Sequence, residues 1–494
     1  MSGDRNTIEV DGATPLSRFR AGLAGDDPVR DLRAGLIGEG RPIEGPFGPK
    51  PLVYADYVAS GRALRQVENF VMEEVLPFYA NSHTEASYCG SAMTRMRREA
   101  RAVIAGLVGA DAGCTVIFTG SGATAGINRL VSLFGVAEAA RRGEAPLVLV
   151  GPYEHHSNIL PWRESGAEVI EIAEAPAGGP DLAELEAALA RTGDRRLRIG
   201  AFSAASNVTG ILTDTDAVTA ILKRHGALAV WDYAGGGPYL AMRMAPAAGL
   251  EKDAIVLSPH KFVGGPGASG ILVVRKSAVE RQAPSWPGGG TVSFVSPWRH
   301  DYVQDLSARE EAGTPNVIGD IRAALAFLVK DAIGQDFIDR RHRELNARAL
   351  AVWERNPGLQ LLGVDKAQRL PIFSMRVGDG KGGFVHHQLF TRMLSDGFGI
   401  QARGGCACAG PYAHRLLGID EDASDAIRAG IAAGREIEKP GWVRLNFSFL
   451  LDDAKADFII RSVDALARDP SAASAYREDA ATARFRPAGS VRAA

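Results

Sequence analysis

Long apolar runs are missing from this 494-residue chain: no stretch of about 18 uncharged apolar residues occurs, so a membrane-spanning helix is not expected. A charge excess is missing too. Lys and Arg number 56 against 58 Asp and Glu, a formal charge of −2. A phosphate-backbone footprint needs a basic excess or a basic stripe, so nucleic acid is not an expected partner. Cysteine is scarce, with only Cys89, Cys114, Cys406 and Cys408, which is too few for a disulfide framework at this length. The first residues, MSGDRNTIEV, lack the basic-then-apolar order of a secretory signal. A cytosolic protein is the expectation.

What is plentiful is glycine, 57 residues of it, in an otherwise average globular composition with 46% hydrophobic and 23% charged residues. From about 115 to 275, short aliphatic runs alternate with helical patterns: TVIF at 115–118, LVLV at 147–150, EVIEI at 168–172, RIGAFS at 198–203, LAVWD at 228–232, AIVL at 254–257 and ILVV at 271–274. Continuous apolar strands alternating with helices predict an α/β domain, a mainly parallel seven-stranded sheet covered on both faces. Asp181 and Glu184 have capping-box spacing at one helix start. After Pro315 a long helical stretch (317–351) leads to LQLL, PIFSMRV and WVRLNF, the mark of a smaller α+β domain. The expected organisation is an N-terminal arm over 1–50, a large domain over 51–315, a small domain over 316–470 and a frayed tail over 471–494.

In an open parallel sheet the ligand sits beyond the carboxyl ends of the strands. Here those positions read TGSGATAGIN, GPYEHHSN, AASNVTG, an Asp ending LAVWD, and SPHKFVGGPGASG. The Gly- and hydroxyl-rich turn before a helix suits a phosphate, although alone it is equally a tight turn, and it lacks a Walker lysine. Asp232 closes an apolar strand, where it either meets a cation or donors or caps a helix. Lys261 is a surface charge or, opposite Asp232 and near a phosphate-type turn, the amine that imine chemistry on a phosphorylated pyridine requires.

Taken in order, SGAT, EHHSN, SNVTG, the strand-end Asp, SPHKFVGGPG, RGGCACAGP and VRLNFS resemble the class V aminotransferase group of fold-type I pyridoxal-phosphate enzymes, most closely the cysteine desulfurases with a short active-site loop. The match runs over roughly 50–465. It implies that Lys261 is the Schiff-base lysine and that Asp232 pairs with the pyridinium nitrogen. His155 would stack on the ring, in preference to His156. Ala123, Thr124, Ser258 and His260 would hold the phosphate, and Asn207 would lie near the phenolic oxygen or the substrate. Thr314, in EEAGTP, resembles a residue that reaches the neighbouring subunit's phosphate, which implies a homodimer. Cys408 falls at the nucleophile of the family's Arg-x-Gly-x-x-Cys-x-x-Pro loop, and Arg403 at its arginine. Arg444 matches the clamp on the substrate α-carboxylate, where a planar fork gives bidentate binding.

The resemblance implies cysteine desulfurization: L-cysteine becomes L-alanine while the Cys408 thiolate takes the sulfur as a persulfide, for passage to an acceptor protein. A free thiol is only a few per cent ionised at neutral pH, and Arg403 is the expected activating cation. Two features depart from the pattern. The family's Asp-x-x-Gln reads Asp232-Tyr-Ala-Gly235, leaving Tyr233, Asn207 or water to replace the Gln. Cys406 stands where a histidine is usual, and the C-x-C resembles molybdenum-cofactor sulfurases. With His414 it could also be half a zinc site, but no second ligand pair stands at the required spacing, so no metal is expected. A Cys406–Cys408 disulfide or redox switch stays open. Cys89 and Cys114 read as buried small apolar residues, His386–His387 as a solvated helix start, and His83 as either a residue at the site's mouth or a packed loop histidine. Residues 410–440 exceed the short-loop pattern and could dock a partner. A class V transamination, epimerisation or C–S/C–Se lysis indifferent to Cys408, and a binding protein that has kept the fold, are the alternatives.

Overall fold

The computed structural model describes residues 14–82, 85–365 and 368–488. His83 lies outside the described residues. The aliphatic runs form β1 (Cys114–Gly120), β2 (Leu147–Val150), β3 (Glu168–Glu171), β4 (Arg198–Ser203), β5 (Leu228–Asp232), β6 (Ala254–Leu257) and β7 (Gly270–Arg275). They make one seven-stranded sheet in the order β1-β7-β6-β5-β4-β2-β3, parallel except for β7, which runs against both neighbours. Successive residues point to opposite faces. Val116 and Phe118 therefore join one core layer and Ile117 the other. The first layer is closed by α1 (Tyr88–Leu107) and α3 (Val317–Ile333), the second by α2 (Gly122–Leu133). This is the α/β fold expected.

Some local expectations are corrected. The helix expected over 317–351 is two helices, α3 and α4 (Gln335–Trp353), because Gly334 sits between them at φ +81°, outside helical space. Asp181 caps its helix through Ala183 and Glu184 N–H, but Glu184 turns away and accepts from Ala173 N at 2.8 Å, so the reciprocal half of the box is not made.

A second sheet, antiparallel, is built from β8 (Leu359–Leu361), β9 (Ile372–Gly378), β10 (Arg403–Gly405) and β11 (Trp442–Asn446) in the order β8-β9-β11-β10. It is covered by α4, α5 (His387–Phe398) and α8 (Asp453–Arg468), with α6 (Gly410–Leu417) and α7 (Glu421–Ala432) lying between β10 and β11 in the chain. Trp353 packs against Phe373 and Phe447 and donates from Nε1 to the Ile460 carbonyl at 3.0 Å. Its indole is both buried and satisfied.

Over the described residues 471–488 the chain is not frayed. Tyr476–Asp479 and Arg484–Pro487 form a hairpin lying on α5, where Tyr476 donates to Asp396 Oδ2 at 3.0 Å and Phe485 packs on His386. His386 does cap α5, accepting from Gln388 N–H at 3.2 Å. His387 is buried rather than solvated, and burial takes its imidazole down to about 4. Cys114 is buried as expected, and Cys89 only partly so.

Candidate active site

The carboxyl ends of β1, β2, β4, β5 and β6 converge on one cavity of about 210 Å³, lined among others by Gly122, Ala123, Thr124, His155, Asn207, Asp232, Gly235, Ser258, His260 and Lys261. Nine of those ten were singled out from sequence for roles or a departure. Parallel register explains the convergence, since Ser203 pairs across with Asp232, and Asp232 with Val256. A larger cavity, about 680 Å³, lies behind the 212–215 and 233–241 segments against α4, and the only strand-end neighbour it holds among the described residues is Tyr233. Tyr233 therefore faces away from the smaller cavity. Asn207 lines it next to Gly235, whose added Cβ would stand 3.6 Å from the Asn207 Cβ. Of the two side chains expected to stand in for the missing Gln, Asn207 lines this cavity and Tyr233 does not.

At one end of the cavity α2 begins. Ala123 N–H donates to Ser258 Oγ at 3.0 Å, and Thr124 Oγ1 lies 2.7 Å from Ser157 Oγ. Gly122 is at φ +61°, and a Cβ there would stand 2.8 Å from Ser258 Oγ and 3.2 Å from His260 Cε1. Only glycine fits this turn. At the other end Asp232 is buried, accepting one bond from Ala234 N–H at 2.7 Å. It caps a turn rather than a helix. Burial raises its carboxyl, with the Ala234 N–H and the Lys261 charge opposing. The same burial pushes the Lys261 ammonium down to about 8, against the pull of Asp232. Burial, with Lys261 nearby, also takes His155 to about 4, so its ring is neutral and free to lie flat against an aromatic partner; its Nδ1 accepts from Ser157 N–H at 3.1 Å.

Three residues that sequence reasoning did not single out underpin this wall. Buried Glu154 accepts from Ser203 N–H (2.8 Å), Ser203 Oγ (2.7 Å) and Asn158 Nδ2 (2.6 Å), and burial lifts its carboxyl to about 7. The available signal was an acid four residues past a wholly apolar strand.

The cysteine loop forms the rim. Cys408 is exposed, Cys406 is half-buried, and both are free thiols. Ala407 and Cys408 both take φ +55°, a left-handed pair without glycine. The turn is pinned from outside: Asn207 Nδ2 donates to the Ala407 carbonyl at 2.9 Å, His156 N–H to the Cys408 carbonyl at 2.9 Å, and Gly410 N–H to His156 Nε2 at 2.9 Å. His156 thus serves the loop and His155 the cavity.

Arg444 is buried on β11 and faces Arg403 across the β10–β11 register. Asp56, also missed from sequence, holds both: Oδ1 accepts from Arg444 Nη2 at 2.8 Å and Oδ2 from Arg403 Nε at 2.9 Å. Its placement follows from a short parallel pairing, Val53–Tyr54 with Ile400–Gln401, which sets Asp56 beside Arg403 two residues on. Arg403 was expected to serve Cys408; its Nε serves Asp56 instead. Thr314 is exposed and lines neither cavity.

A family model described as aminotransferase class-V matches residues 53–438. A cysteine desulfurase of Salmonella gallinarum is 30% identical over 393 residues, 78% of this chain and 90% of that protein. A probable cysteine desulfurase of Halalkalibacterium halodurans is 28% identical over 362 residues, 72% and 84% respectively. Among solved structures, a cysteine desulfurase from Escherichia coli superposes with a TM-score of 0.68 at 23% identity, over 88% of this chain and 98% of that one. That last likeness is one of fold.

Proposed function

Since the chain belongs to the class-V aminotransferase family, we propose that this enzyme is a pyridoxal-phosphate-dependent cysteine desulfurase converting L-cysteine to L-alanine with persulfide formed on Cys408. The observation that carries the reading is the shared rim: Asn207, which lines the cavity holding Lys261 and Asp232, is bonded directly to the turn that carries Cys408.

The donor set fits the cofactor. The α2 N-terminus with Thr124, Ser258 and His260 suits a phosphate. Asp232, buried with no ion-pair partner among the described side chains, suits a protonated pyridine nitrogen, and His155 suits a ring face. Asn207 Oδ1, buried with no partner, suits a donor on the cofactor or substrate. When bound there, pyridoxal phosphate supplies an electron sink for the substrate's Cα.

The chain's own residues do the rest. Arg444 takes the α-carboxylate, its buried Nε having no partner in the described structure. Lys261, half-neutral near pH 8, receives the Cα proton on Nζ and returns one to carbon. The Cys408 thiolate attacks the substrate sulfur; the C–S bond breaks, Cys408–SH becomes Cys408–S–SH, and cysteine leaves as alanine with the atoms balanced. Homodimer formation belongs to the same reading. It is supported by the hairpin of Val292–Val295 and His300–Tyr302, where Phe294, Val295, Trp298 and the preceding Trp286 stand exposed, an apolar surface of the kind a second copy would cover.

The test is purified protein with pyridoxal phosphate and L-cysteine under a thiol reductant, assaying alanine and sulfide together. Equal amounts are expected, with both lost by at least a hundredfold in Cys408→Ser while cofactor absorbance is kept. Alanine formation unaffected in Cys408→Ser would shift the assignment to a class-V reaction that does not use this thiol.

A further inference from the structure

Two guanidinium groups face each other across neighbouring strands, and one buried carboxylate divides itself between them. Asp56 Oδ1 takes Arg444 and Oδ2 takes Arg403. The trio carries one net positive charge. Arg444 is locked further by Nη1 donating to the Asn207 carbonyl at 3.1 Å, and its buried Nε–H has no partner. Arg403 is half exposed. The field of all three groups reaches Lys261, with Arg444 and Arg403 favouring its neutral form and Asp56 its charged form.

Resting on the proposed reading of the site, we propose that Asp56 is a specificity-determining residue that restricts the enzyme to amino acids with an uncharged side chain. One α-carboxylate on Arg444 brings the trio to neutrality. A second anionic group on the substrate would make it net negative and would have to contend with Asp56 for Arg403. Removing the Asp56 charge leaves two cations and one carboxylate, which favours a second anion. A unit charge at this range, in a site of intermediate polarity, shifts binding by tenfold or more. The arrangement differs from a plain orienting contact, which would hold Arg444 equally for every substrate.

The experiment measures the calorimetric dissociation constants of L-alanine and L-aspartate on the pyridoxal-phosphate-loaded enzyme, in Asp56→Asn, wild type and Arg403→Gln. These carry two, one and zero net charges on the trio. The preference for aspartate over alanine is expected to fall along that series, by at least tenfold at each step. An unchanged ratio, or an equal loss of both ligands in Asp56→Asn, would overturn the proposal and leave Asp56 as a support for Arg444. Should Asp56→Asn not fold, the half-exposed Arg403→Gln decides alone, since its ratio must drop below that of wild type. Failure of the wild type to make alanine from L-cysteine would sink the desulfurase reading without touching this ratio, which is an equilibrium quantity. Binding of neither amino acid would overturn the Asp56 proposal outright.

Discussion

Asn207 reaches Ala407, 200 residues further along the chain, with a 2.9 Å bond from its Nδ2 to the Ala407 carbonyl. One amide thereby belongs to the cofactor cavity and to the cysteine turn at once. Asn207→Ala should cost about 1–3 kcal/mol of buried hydrogen bonding. Measured as kcat/KM for alanine formation from L-cysteine, the loss should be about ten- to a hundredfold, with the fold intact by circular dichroism.

The amine of Lys261 should govern how quickly the apoprotein takes up its cofactor. Burial lowers it to about 8, while Asp232 and Asp56 favour the charged form and Arg444 and Arg403 oppose it. Below that pH the amine is protonated and cannot attack an aldehyde; above it the amine is free. The rate of uptake of pyridoxal phosphate, followed by absorbance, should rise about tenfold per pH unit up to roughly 8 and then level off. Asp232→Asn should shift the midpoint downward, because the carboxylate that favours the ammonium is gone.

Most of this was readable in the sequence because parallel strands deliver their last residues to one edge, so motif order becomes spatial proximity. Asp232, Lys261, His155 and Asn207 all follow that rule. Asp56 does not. It arrives through a two-residue pairing with Ile400–Gln401, and nothing in YADYV announces a partner so distant in the chain. Glu154 was hidden differently, by standing beside two histidines that drew the reading. The tail after Ser471, rich in Ala, Arg and Ser, concealed a hairpin whose hold on α5 depends on single contacts such as Tyr476 to Asp396.

Glu154 should leave a signature in stability against pH. Its carboxyl rises from 4.5 to about 7 in the folded state, so folding binds a proton between those values. The stability it contributes is fully present below about 4.5 and lost as pH climbs through 7. Glu154→Gln has no such slope. In paired urea denaturations of apoprotein, the variant should be less stable than wild type at pH 5, because one amide cannot accept from Ser203 N–H, Ser203 Oγ and Asn158 together. The gap should narrow by up to about 3 kcal/mol at pH 8.

The left-handed pair at Ala407 and Cys408 sets up a trade between stability and order. Ala407→Gly removes one positive-φ cost of about 1 kcal/mol. A small increase in urea midpoint is expected, together with a lower turnover of L-cysteine, because a glycine there widens the range of conformations open to the neighbouring Cys408.

Synthesis runs from the N-terminus, which gives the hairpin at 476–487 a role in time as well as in space. By the time it emerges, Lys261, Asp232 and His155 have already been made, and so has the strand that carries Arg403. The hairpin's Tyr476 then bonds Asp396 on an α5 whose Phe390, Met393 and Leu394 already sit in the core of the small domain, and which leads straight into the Ile400–Gln401 pairing and thence to Arg403. The hairpin is therefore a closing clasp: a chain ending before residue 476 would keep every residue named at the cofactor cavity and lack only this last hold on the helix that leads to Arg403.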